Sequence, residues 1–99
     1  MGIQLSKNRS HELIRIVRER LHAARTHLLA EIRTYPGPIA GCDIHYQRLL
    51  EDRQALTQEL ARLYDIAARR DPTSALSVFI RVSATLNVDD KAHLLRKLG

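Results

Sequence analysis

The chain has 99 residues, 44% of them hydrophobic and 27% charged, with a formal net charge of +5. That length is expected to form one domain, residues 1–99, around a modest core that a second subunit could enlarge. A single cysteine excludes an internal disulfide framework, and no apolar run approaches the ~18 residues of a membrane span, so a reduced, cytoplasmic setting is expected.

The opening residues lack the apolar stretch of a secretory signal. Gly2 and Ser6 fit the N-myristoylation pattern, but two loosely fixed positions weigh little, and membrane anchoring is not expected.

Breakers and apolar spacing divide the chain into four helical segments, at about 9–34, 43–70, 72–86 and 89–98, with no strand. Asn8 or Ser10 is the expected N-cap of the first, with Glu12 in the first turn where the helix dipole favours an acid. Residues 35–42 then concentrate Pro36, Gly37, Pro38 and Gly41, which remove backbone donors and admit positive φ, so no helix continues through them. Asp43 can cap the second helix, whose end is marked by Arg69 and Arg70.

Asp71-Pro72 restarts the chain, with Asp as N-cap and Pro at the first helical position. The third helix carries Ala75, Leu76, Val78, Phe79, Ile80, Val82 and Leu86, a broad apolar surface expected to be the most buried in the molecule. Asn87 suits a left-handed C-cap, and Asp89 or Asp90 begins a short last helix with Leu94, Leu95 and Leu98 facing inward.

In the two long helices Ile14, Val17, Leu21, Ala24 and Leu28 recur at alternating intervals of three and four, as do Leu49, Arg53, Leu56, Leu60 and Leu63. Folding back at the Pro-Gly loop pairs Leu28 with Leu49, Leu21 with Leu56, Val17 with Leu60 and Ile14 with Leu63. The register also sets Ala24 opposite Arg53, an arginine whose tip must reach water or a carboxylate. The expected fold is therefore all-α, a long antiparallel helical hairpin with two shorter C-terminal helices packed on it, and its narrow Leu-rich stripes also suit a homodimer.

Charge is distributed unevenly. Residues 1–34 hold seven cations and three acids, whereas residues 35–70 hold five of each sign. Within the first helix His11, Arg15, Arg18, His22 and Arg25 fall on one stripe beside the apolar seam. Arginine grips phosphate bidentately and histidine gains charge in mild acid, the usual materials of a sequence-independent nucleic-acid contact. Against that reading stand an aromatic content of 4% and the absence of Trp.

The loop is apolar where connections are normally polar: Pro36, Pro38, Ile39 and Cys42, flanked by Tyr35 and Tyr46, either tuck under the later helices or dock a partner. Cys42 precedes a helix N-terminus, but adjacent Asp43 opposes thiolate formation and no second Cys is present to resolve an oxidised thiol. Cys42 and His45 have a metal-like spacing without the further ligands zinc needs.

Gly-rich phosphate loops, Gly-x-Ser-x-Gly and His-Glu-x-x-His are all absent, so neither catalysis nor a metal or other cofactor is expected. The expected function is that of a small non-catalytic interaction module, an adaptor or regulator binding a protein partner or itself. The alternative is nucleic-acid or polyanion binding through the stripe of the first helix.

Overall fold

The structure, a computed structural model, describes residues 2–36 and 44–99, with side chains from residue 9 onward. It is all-helical among these residues: α1 spans Gly2–Thr34, α2 Ile44–Ala67, α3 Thr73–Val82 and α4 Val88–Leu98.

The end of α1 meets the start of α2, with the Tyr35 and Tyr46 ring centroids 5.3 Å apart, while Arg18 and His22 lie beside Leu60 and Tyr64. The two long helices therefore run in opposite directions, as the mirrored heptads require. α3 and α4 cover the half of α1 remote from the loop, giving an elongated body of 59 × 25 × 18 Å.

The α1 seam is the expected one. Ile14, Val17 and Leu21 are buried, and Ala24 and Leu28 are partly buried. Leu13 and Ser10 extend the buried surface toward α3 and α4. Ser10 is not a cap: its hydroxyl sits 2.7 Å from the Thr73 hydroxyl, and α1 runs on to Gly2. A side chain engaged across the core is unavailable to the backbone, and nothing between Gly2 and Asn8 breaks a helix.

α2 departs from its expected frame. Leu49, Leu56 and Leu63 are buried as foreseen, but the row beside them consists of Glu59 and Ile66. Arg53 is exposed rather than set in the seam, and Leu60 is half-buried. The helix turns one flank toward α3 as well as toward α1, so its buried stripe is shifted away from Arg53. α2 also ends before Arg70, closing with short-range bonds from the Ala68 and Arg69 N–H groups to the Asp65 and Ile66 carbonyls.

The later boundaries differ by similar local chemistry. The N-cap of α3 is Pro72 rather than Asp71, its carbonyl accepting the Leu76 N–H, while Asp71, one place earlier, accepts the Thr73 N–H on Oδ1 at 3.2 Å. α3 stops at Val82 instead of Leu86. Ser83 is extended at φ −59°, ψ 132°, and its Oγ accepts the N–H groups of Thr85 and Leu86, each at 3.2 Å. Those donors no longer need helical carbonyls.

Asn87 is the N-cap of α4, not a left-handed C-cap: at φ −80°, ψ 172° its Oδ1 accepts the Asp90 N–H at 2.7 Å. Asp89 and Asp90 then occupy the first turn and Arg96 and Lys97 the last, both favourable to the helix dipole. In α3 Leu76, Phe79 and Ile80 enter the core while Val78 and Val82 face outward.

Candidate functional site

Two surfaces and one buried cluster carry the chemistry of the described residues. All five members of the basic stripe, His11, Arg15, Arg18, His22 and Arg25, are exposed. Arg15 Nη1 lies 3.5 Å from Glu19 Oε1, a solvated pair one turn apart. Arg20, off the stripe, reaches Asp90 at 3.1 Å and ties α1 to α4.

Arg18 and His22 line a shallow depression with Leu60, Ala61, Leu63 and Tyr64 of α2. Tyr64 is 77% exposed, so an aromatic ring stands free beside two members of the stripe. Tyr64 belongs to no motif, and its one signal in the sequence is that Arg53, Thr57, Leu60 and Tyr64 recur at intervals of four and three and mark a flank of α2.

The second surface is a groove of about 430 Å³ between α2 and α3. Ile66, Ala75, Val78, Phe79 and Val82 form its apolar part, and Arg62, Asp65 and Arg69 its charged margin. Val78 and Val82 are 59% and 67% exposed, which leaves adjacent branched side chains in water on a helix whose other side is core. Hydrophobicity alone places them inside. The helical spacing instead splits the apolar set between two faces, and only one of them meets α1 and α2.

The buried cluster was not foreseen either. Glu59, 2% exposed, accepts hydrogen bonds from the Ser83 hydroxyl and, at 2.6 Å, from the Thr85 hydroxyl. The partners are 24 and 26 residues away, beyond the reach of any periodicity argument. Both carboxylate oxygens are satisfied, so the cluster organises the α3–α4 connection.

Of the expected loop surface, Tyr35 and Tyr46 are half-buried and Pro36 is exposed. The Tyr35 ring packs on His45 and Tyr46, with centroids 5.6 and 5.3 Å apart, closing the end of the hairpin. Pro38, Ile39 and Cys42 lie outside the described residues, as does the Cys42–His45 pairing. The stripe and the described loop-flanking residues Tyr35, Pro36 and Tyr46 lie on different parts of the hairpin, and the structure does not join them into one site.

Among the described residues no cluster of three His, Cys, Asp or Glu side chains could hold a metal ion. No described helix is long and apolar enough to cross a membrane. Every buried side-chain polar atom among the described residues has a hydrogen-bond partner. No protein-family model, curated protein or solved structure matches the chain.

Proposed function

We propose that the chain is a small, non-catalytic helical interaction module of the cytoplasm, and that it binds a protein partner, or a second copy of itself, through the groove between α2 and α3. The observation that carries this reading is the exposure of Val78 and Val82 beside Phe79, Ala75 and Ile66. Contiguous exposed apolar surface with a polar margin is the usual mark of a docking site. Arg62 and Arg69 at that margin favour a partner helix with an apolar face and acidic flanks.

The test compares proteins retained from cell extract by the parent, by the Val78→Asp/Val82→Asp variant, and by Gln54→Asp on the exposed outer side of α2. The reading expects a partner lost from the double variant alone. Retention of the same proteins by all three contradicts it. Sedimentation of the purified parent and double variant shows whether the partner is a second copy.

A second reading, polyanion binding through the α1 stripe, is favoured by the exposure of all five of its residues. It predicts binding that weakens steeply with salt, because each phosphate neutralised releases counterions.

A further inference from the structure

We propose that the face formed by the α1 stripe and the Tyr64 flank of α2 is a site for single-stranded nucleic acid, with arginines on the phosphates and one base stacked on Tyr64. This rests on the polyanion reading and adds to it the class of ligand and the contribution of the second helix.

The first support is the segregation of charge. On α1 and α2 the described acids are almost all directed elsewhere. Glu12 lies beside Arg96 and Lys97, and Glu31 pairs with His27 at 3.1 Å. Asp52 borders a depression near Thr85, Glu59 is buried against Ser83, and Asp65 lies in the α2–α3 groove. Glu51 stands with Arg53, Gln54 and Gln58 along an exposed flank of α2. Glu19 is the acid left near the stripe, and Arg15 holds it. Arg18 and Arg25 make no ion pair within the described residues.

The second support is the aromatic ring. His11 to Arg25 covers about 21 Å of helix at 1.5 Å per residue, a track for a few phosphates. Tyr64 stands beside its middle, next to Arg18 and His22, with 77% of its surface in solvent. Tyrosine exposed without a core role costs nothing to cover and offers a π-face to any base. Duplex DNA keeps its bases stacked on each other, so only an unpaired strand can use that ring.

The experiment is fluorescence anisotropy with labelled oligothymidylate of about 20 nucleotides, a duplex of equal length, and heparin as competitor, at about 50 and 200 mM salt. The parent should bind the single strand in the micromolar range or tighter, more tightly than the duplex, and lose at least about tenfold at the higher salt. Arg18→Gln/Arg25→Gln should weaken both nucleic acids about tenfold or more. Tyr64→Leu should weaken the single strand about fivefold or more and leave the duplex unchanged. All of these residues are exposed, so the variants should keep the parent's helix content, which circular dichroism checks.

If the duplex binds as well as the single strand, or Tyr64→Leu binds like the parent, the single-strand site is overturned while polyanion binding stands. If nothing binds at low salt, or the arginine variant binds like the parent, both readings fall.

Discussion

Thr85 donates a 2.6 Å hydrogen bond to the Oε2 of Glu59, linking the connection between α3 and α4 to the middle of α2. Ser83 donates to the other carboxylate oxygen while its own Oγ accepts two backbone N–H groups, so one buried acid fixes both the end of α3 and the path into α4. Removing Glu59 would strand two hydroxyls and open a cavity. Glu59→Ala should cost roughly 2–4 kcal/mol of unfolding free energy in urea titration, and Glu59→Gln, which keeps the volume and one acceptor, should cost less.

Ser10 offers a direct contrast between capping and core contact. As an N-cap its loss would shorten α1, whereas as a partner of the Thr73 hydroxyl its loss costs packing and one hydrogen bond. Ser10→Ala should lower stability by about 1 kcal/mol with far-ultraviolet ellipticity unchanged.

The opposite holds at Asn87, whose side chain takes the Asp90 N–H. Asn87→Ala should destabilise by about 1 kcal/mol in the same titration, and Asn87→Ser or Asn87→Asp should restore most of the loss. A left-handed C-cap would instead be relieved by Asn87→Gly.

Arg53 tests the frame of α2. On its exposed flank, Arg53→Ala should change stability by no more than about 0.5 kcal/mol. In the seam opposite Ala24 the same change would have removed a packed stem and altered the midpoint of thermal unfolding by several degrees.

These residues also show what the sequence makes legible. The α1 stripe from Ile14 to Leu28 and the reversal at the Pro-Gly loop follow from short-range spacing and backbone chemistry, and both are present. The basic stripe is equally readable, because its five residues share one face whatever α1 packs against. α2 is different, since its buried side depends on where α3 and the connection after it settle, and Leu60 and Glu59 are adjacent candidates for the same row. An acid reads as surface until two hydroxyls from a distant turn satisfy it. Val78 and Val82 read as core for the complementary reason: apolarity states a preference, while a short helix on the outside of a small bundle can bury only one face.

The most direct test of the interaction-module account is site-specific photo-crosslinking in cells, with the photoreactive residue placed at Val78 or, as control, at Gln54. The account predicts a discrete crosslinked species from position 78, a partner protein or a second copy, and none from position 54. No discrete species from position 78, or the same species from both positions, would contradict the groove between α2 and α3 as the binding surface.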